Sequence, residues 1–148
     1  TITYKASYRA ASLSALCLPT VQIIAAFALG AIVWYGGIQI ELGFITIGSS
    51  DNAVKEARAV LADAGININY LRVKGFPFGK EVQDYIDSHD RIYVVEQNRD
   101  AQLRSMLLLE TRVDPNKLVP VLHYDGLPIL AATVIDGVNQ DLARGKAA

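Results

Sequence analysis

A run of polar residues directly follows an apolar, strand-like segment of this chain. Arg91–Val95 is β-branched and apolar, Glu96–Asp100 is polar, and the spacing of apolar residues then predicts a helix over Ala101–Arg112. Carboxylate, amide and guanidinium groups in such a run can make directional hydrogen bonds to a ligand, to another protein surface or to the free N–H groups of a helix.

Capping of the helix accounts for only part of this polar run. Asn98 or Asp100 is expected to cap it, because both side chains accept hydrogen bonds from N–H groups of a first helical turn. Capping leaves Glu96, Gln97 and Gln102 without a role. Polar groups at the end of a strand are typical of functional edges in open α/β sheets, so these three residues indicate a site or an interface.

Residue types that carry catalysis are sparse. His123 is expected at a strand end, where a lone histidine is more typical of a hydrogen-bonded surface residue than of a catalyst. His89, at a helix–strand junction, is expected to be solvated. No Gly-x-Ser-x-Gly elbow or Cys/His metal spacing occurs, so we predict no catalytic, cofactor-binding or metal-binding residue. We predict instead a contact surface that comprises Glu96, Gln97, Asn98, Arg99, Gln102, His123 and Tyr124.

Charge and cysteine content exclude several classes of protein. The net charge is −1, which leaves no basic footprint for a nucleic-acid partner. The single cysteine, Cys17, can form no internal disulfide and no metal cluster, which fits a reducing compartment. Hydrophobic residues make up 51% of the chain and are concentrated in the first 43 residues, whose only charged residues are Lys5, Arg9 and Glu41.

The uncharged segment over residues 10–40 has the composition of a membrane span. It exceeds the length of about 20 residues that a bilayer core requires, and Trp34 and Tyr35 lie near its far end, as interfacial aromatic residues do. We therefore expect a long apolar helix, of transmembrane type, within residues 1–42. A cleaved signal peptide has a shorter apolar core, and burial inside the protein would need more covering mass than this chain offers.

Residues 43–148 alternate between strand and helix patterns. Strands are predicted at Gly43–Gly48, Ile66–Val73, Arg91–Val95 and Leu118–Tyr124. The last helix, Ala131–Leu142, is expected to be weakened at Gly137 and followed by a frayed tail. The Gly48–Asn52 turn is interpreted as a helix cap, although its N–H groups could also hold an anion. The alternation predicts an α/β domain, with a mostly parallel sheet and helices on both faces.

Four runs of residues carry a resemblance to a known family. They are Gly48-Ser49 with Ala53-Val54-Glu56-Ala57, Leu71-Arg72 with Phe76-Pro77-Phe78, Val94-Val95-Glu96-Gln97-Asn98-Arg99-Asp100-Ala101-Gln102-Leu103, and Tyr124-Asp125-Gly126-Leu127-Pro128. In this order they resemble the C-terminal domain of the alpha subunit of 2-oxoacid:ferredoxin oxidoreductases, notably the 2-oxoglutarate type. The resemblance covers residues 43–138.

This resemblance implies a fold like the transketolase C-terminal domain, and a cytoplasmic complex that oxidatively decarboxylates a 2-oxoacid, expected to be 2-oxoglutarate, to its CoA thioester. It implies thiamine diphosphate, magnesium and iron–sulfur clusters in the full complex, bound by other domains and subunits. This chain is then incomplete as an enzyme. Its expected partners are the oxidoreductase beta subunit or the missing domains of the alpha subunit.

A second resemblance concerns the first 43 residues. Tyr8-Arg9-Ala10-Ala11, Pro19 and the run Ala31–Gly37 resemble a transmembrane helix of ABC-type exporters. The phosphate-binding Gly-x-x-x-x-Gly-Lys-Ser/Thr loop that would accompany ATP hydrolysis is absent from the sequence. Two alternatives to the oxidoreductase domain are an exporter-derived fusion, associated with a membrane through residues 10–40, and a plain interaction module without catalysis.

Overall fold

The structure is a computed structural model that describes residues 20–31 and 40–147. The chain divides into two compact units, Thr1–Gln39 and Ile40–Ala148. In the first unit, residues 20–31 form helix α1, whose residues are all exposed. Among the described residues, no helix is both long enough and apolar enough to cross a membrane. A long apolar helix was expected within residues 1–42; of these, residues 1–19 and 32–39 lie outside the described residues, and Leu42 begins a strand.

The second unit contains a sheet of four parallel strands with the order β2-β1-β3-β4. The strands are β1 (Leu42–Ile47), β2 (Ile68–Val73), β3 (Arg91–Glu96) and β4 (Leu118–Leu122). The helices are α2 (Asp51–Asp63), α3 (Lys80–Asp87), α4 (Gln102–Glu110) and α5 (Ala131–Ala147), with 3-10 turns at Gly48–Ser50 and Pro115–Lys117. The predicted α/β class with a parallel sheet is confirmed.

Each face of the sheet is covered by two helices. Phe44 and Tyr93 pack beneath α2 and α5, whereas Ile45 and Val94 pack beneath α3 and α4. Successive residues of a strand point to opposite faces, so β1 and β3 contribute apolar side chains to both cores. The predicted placement of helices on both faces is therefore confirmed.

Helix α5 differs from its expected form. It runs without a break from Ala131 to Ala147, through Gly137 and through most of the tail that was expected to fray. A Cβ atom at Gly137 would lie 3.0 Å from Cγ1 of Val121, so the glycine permits close packing of α5 on β4. Val134 and Val138 are fully buried beside it. Their burial outweighs the cost of a helical glycine, which is about 1 kcal/mol.

His89 is buried, and the expectation that it is solvated is wrong. Its Nδ1 donates to the carbonyl oxygen of Tyr85 at 2.7 Å, and its Nε2 accepts from Nδ2 of Asn69 at 3.0 Å. Its ring lies 4.1 Å from the ring of Tyr85, measured between centroids. Tyr85 is a local partner, four residues earlier, but Asn69 lies on β2, twenty residues earlier. The sequence around His89 does not reveal this second partner, so only the packed structure shows that the side chain is enclosed.

Candidate contact surface at the carboxyl edge of the sheet

The predicted contact residues come together at the carboxyl ends of two neighbouring strands. Glu96 is the last residue of β3, the loop that follows it carries Gln97 to Ala101, and Gln102 begins α4. His123 follows β4, and its N–H donates to the carbonyl oxygen of Glu96 at 3.1 Å. The two loops therefore lie side by side. The residues differ, however, in whether their side chains point outward.

Glu96 points inward and holds the start of α4. It is 1% exposed, and its Oε2 accepts from the N–H of Leu103 and from Nδ2 of Asn98, each at 2.7 Å. Its Oε1 accepts from the N–H of Arg104 at 3.1 Å. A carboxylate is favourable there, because a helix N-terminus presents free N–H groups and a partial positive charge. Glu96 was predicted to contact a partner; its side chain is instead buried within the fold, where it completes a helix terminus.

Asn98 supplies the rest of this cap. Its Oδ1 accepts from the N–H of Gln102 at 3.3 Å, whereas Asp100 pairs with Arg99 at 3.0 Å. Of the two expected caps, the structure selects Asn98. Ala101 precedes the helix with φ 49°, a left-handed conformation that is costly for a residue with a Cβ atom. The side chains of Glu96 and Asn98 hold the chain in this turn.

Gln97 links three loops of the edge. Its Nε2 donates to Oγ of Ser49 at 2.7 Å, and its Oε1 accepts from the N–H of Ile129 at 3.2 Å. Ser49 follows β1, so the amide spans the carboxyl ends of β1 and β3, where strand order reverses. Ligands of open α/β sheets bind in that crevice. In this protein a side chain of the fold crosses it.

His123 holds the loop between β4 and α5. Its Nε2 lies 2.8 Å from Oδ1 of Asp125 and 3.0 Å from the carbonyl oxygen of Leu127. The same Oδ1 accepts from the N–H of Leu127 at 2.9 Å, and Gly126 adopts φ +91°. This histidine is hydrogen-bonded, as its position at a strand end led us to expect. It orders a loop that the sequence showed only as a turn.

Three of the predicted contact residues are exposed. The side chain of Arg99 is 75% exposed, Tyr124 is 64% exposed, and Gln102 also faces solvent. The pair of Arg99 with Asp100 is solvent-exposed, so it holds the guanidinium only weakly. These three side chains are available to a partner.

The turn between β1 and α2 is arranged differently from the expected cap. Ser50, which precedes α2, makes no side-chain cap hydrogen bond. Asp51 instead accepts hydrogen bonds from the hydroxyl of Tyr70, from Lys55 at 2.9 Å and from Arg72 at 3.3 Å. These contacts join α2 to the edge strand β2. The expectation of a simple side-chain cap is corrected, because tertiary partners bind the carboxylate at the start of the helix.

A charged cluster ties the opposite end of β3 to helix α5. Nε and Nη2 of Arg91 each lie 2.5 Å from a carboxylate oxygen of Asp141, and the hydroxyl of Tyr93 donates to the same carboxylate at 3.1 Å. The hydrogen bonds from Arg91 lower the pKa of Asp141, whereas burial raises the pKa of Tyr93. Each group has a partner within the fold, so this cluster stabilises the packing of α5.

Comparison with known proteins finds a sequence similar to part of this chain. No family model matches the chain. It is 25% identical over 116 residues to the alpha subunit of 2-oxoacid:ferredoxin oxidoreductase 2 from Aeropyrum pernix, which covers 77% of this chain and 18% of that protein. The chain is homologous to part of such an alpha subunit. The resemblance to this alpha subunit is therefore supported.

One solved structure supports the likeness in fold. The 2-oxoglutarate:ferredoxin oxidoreductase from Magnetococcus marinus, with 2-oxoglutarate, coenzyme A and succinyl-CoA bound, matches with TM-score 0.62 and 24% identity over 70% of this chain and 18% of that chain. The alpha chain of a probable 2-oxoacid ferredoxin oxidoreductase from Thermoplasma acidophilum matches with TM-score 0.46 and 28% identity over 72% of this chain and 91% of that chain.

These comparisons also show how much of each relative the chain matches. The chain spans 18% of the length of the Aeropyrum pernix protein and 18% of the Magnetococcus marinus chain. Both are oxidoreductases, so the exporter resemblance of the first 43 residues receives no support from them.

Proposed function

We propose that this chain forms the C-terminal domain, of the transketolase C-terminal type, of a 2-oxoacid:ferredoxin oxidoreductase alpha subunit. Its role in the complex is to contact the other domains and subunits. The observation that carries the proposal is the 25% identity over 116 residues to an alpha subunit, joined to a parallel α/β fold. The complete cytoplasmic complex would oxidatively decarboxylate a 2-oxoacid, with 2-oxoglutarate the expected substrate, to its CoA thioester.

The described residues do not fit the cofactors of such a complex. An iron–sulfur cluster is held by several cysteine thiolates, and the sequence contains only Cys17. Over residues 20–31 and 40–147, no group of three or more His, Cys, Asp or Glu side chains could hold a metal ion. At the crevice between β1 and β3, Gln97 bonds to Ser49 and Ile129. Thiamine diphosphate, magnesium and the clusters would therefore bind other parts of the complex.

The geometry of the edge supports the contact role. Arg99 and Tyr124 are exposed on the loops that follow β3 and β4, and Gln102 is exposed at the start of α4. Arginine and tyrosine are enriched among the residues that contribute most to protein interfaces. Because Glu96 and Asn98 hold the first of these loops against α4, the exposed groups are presented by a rigid element.

Titration calorimetry with thiamine diphosphate and magnesium tests the assignment of the chemistry to other domains. We expect no binding to the purified chain and no turnover of 2-oxoglutarate. Co-expression of this chain with an oxidoreductase beta subunit, and with an alpha subunit that lacks the matched 116 residues, tests the contact role. We expect the three to purify together. Micromolar binding of the cofactor, or purification of this chain alone, would contradict the proposal.

A membrane tether through residues 10–40 is a second proposal, and it rests on the exposed apolar residues of α1. Val21, Ile24 and Phe27 are all more than half exposed in that helix. Flotation of the purified chain with phospholipid vesicles tests it, with residues 40–148 alone as the control. Equal flotation of both proteins would refute the tether.

A further inference from the structure

The loop between β4 and α5 carries a concentration of exposed apolar side chains. Within seven residues, Tyr124, Leu127 and Leu130 are 64%, 69% and 66% exposed. Ile129, between them, points inward and is 6% exposed. The loop therefore already contributes one anchor to the core. Single exposed apolar residues are ordinary, but a local group of large ones marks an interaction site.

Hydrogen bonds from three side chains hold this loop in one shape. His123 bonds to the carbonyl oxygen of Leu127, Asp125 accepts from the N–H of Leu127, and Gln97 accepts from the N–H of Ile129. A loop held in this way loses little conformational entropy when a partner covers it. The exposure of the three apolar residues is thus a property of an ordered loop.

The surroundings of the loop have the composition of an interface rim. Because the N–H of His123 bonds to the carbonyl oxygen of Glu96, the loop that carries Arg99 and leads to Gln102 lies beside it. An apolar centre with exposed polar groups around it is the usual anatomy of a protein interface. Gln97 and His123 then act as positioning residues, because their side chains shape the loop that makes the contact.

We propose that Tyr124, Leu127 and Leu130 form the apolar centre of a docking surface for the adjoining part of the same alpha-subunit polypeptide. The proposal rests on the function proposed above and names the partner and the residues that bind it. The chain spans 18% of the length of its Aeropyrum pernix relative, so in such a protein most of the polypeptide lies outside this domain.

The size of the surface favours a tethered partner over a separate subunit. Three side chains on one loop expose a few hundred Å² at most, whereas a stable interface between separate proteins buries about 800 Å² on each partner. A neighbour in the same polypeptide is present at an effective concentration in the millimolar range, so a small apolar centre suffices to hold it.

Hydroxyl-radical footprinting of side chains tests this proposal directly. The 148-residue chain is joined to the Aeropyrum pernix alpha subunit in place of the matched 116 residues. Modification rates are compared between this fusion and the isolated chain. We expect Tyr124, Leu127 and Leu130 to react at least fivefold more slowly in the fusion. Leu109, which is 83% exposed on α4, should react equally in both and serves as the internal reference.

Matched substitutions separate docking from a general effect on folding. Leu127→Asp should return the reaction rates of Tyr124 and Leu130 in the fusion to those of the isolated chain. Leu109→Asp changes an exposed leucine on α4 and should leave their protection intact.

Other patterns of protection would overturn the proposal. Protection that appears only after a beta subunit is added would make that subunit the partner. Protection of the isolated chain that rises with its concentration would make a second copy the partner. If Leu109 is protected and the loop is not, the domain docks by another face, and the proposed function stands. If no surface of the domain is protected in the fusion or with the beta subunit, the proposed function fails as well.

Discussion

The two ends of strand β3 are tied to neighbouring helices by carboxylates in different ways. At the amino end, the side chain of Asp141 on α5 pairs with Arg91, whose side chain is 38% exposed. At the carboxyl end, Glu96 is 1% exposed and accepts hydrogen bonds from two backbone N–H groups of α4 and from Asn98. One link is an ion pair near solvent, and the other is a buried cap.

This difference shows which polar residues of the domain the fold depends on most. Removal of Asp141 would leave Arg91 able to bind water, because part of its side chain already contacts solvent. Removal of the Glu96 carboxylate would leave the N–H groups of Leu103 and Arg104 without their acceptor in a buried place. We therefore expect the end of β3 that looks like a functional edge in the sequence to be the more sensitive in stability.

Glu96→Ala should have the largest effect. It removes the acceptor of two backbone N–H groups and of the Asn98 amide, so the free energy of unfolding should fall by about 3 kcal/mol. Urea denaturation followed by circular dichroism measures this change. Glu96→Gln is the matched control, since it keeps one acceptor oxygen and should lose less. A loss below that of Asp141→Asn would reverse the comparison.

Asp141→Asn should have a smaller effect. It weakens the paired hydrogen bonds from Arg91 and the bond from Tyr93, and solvent compensates in part, so the free energy of unfolding should fall by about 1 kcal/mol. The same denaturation measurement applies, with Asp136→Asn on α5 as a control for the loss of charge. Equal losses in both variants would indicate that the Arg91 pair contributes nothing specific.

The pair of Arg91 and Asp141 should make the stability of the fold depend on pH. The pKa of Asp141 is lowered below its ordinary value of 3.8, chiefly by its hydrogen bonds from Arg91. A group with a lowered folded-state pKa stabilises the fold above its unfolded pKa, and this contribution is lost as the pH falls through the folded value. The stability difference between the parent chain and Asp141→Asn should therefore shrink as the pH falls below about 3.8. A difference that is constant between pH 7 and pH 3 would contradict this account.

Arg99→Ala should change the free energy of unfolding less than the substitutions at Glu96 and Asp141. Arg99 and Asp100 pair on the surface, with side chains 75% and 62% exposed, so the free energy of unfolding should change by no more than about 0.5 kcal/mol. Association with a beta subunit or an alpha-subunit fragment should weaken. Thermal melts and binding isotherms of the two proteins check both statements, and a large loss of stability with intact binding would make Arg99 structural.

The sequence by itself determined the class of the fold. Four short apolar runs alternate with segments of helical spacing, and that alternation admits a parallel sheet with helices on both faces. It also located the polar edge after β3 and β4, because strand ends are visible as abrupt changes from apolar to polar residues. Both features depend only on residues that are close together in the sequence, so they can be predicted without the tertiary structure.

Only the tertiary structure decided where the polar side chains point. Glu96 caps a helix that begins six residues later, His89 is enclosed by β2 and α3, and Gly137 lets α5 approach β4. In each case the deciding partner lies on another element, at a distance and orientation that the local pattern does not contain. A carboxylate at a strand end has the same local sequence whether it faces solvent or a helix terminus, and the burial of the free N–H groups favours the inward direction.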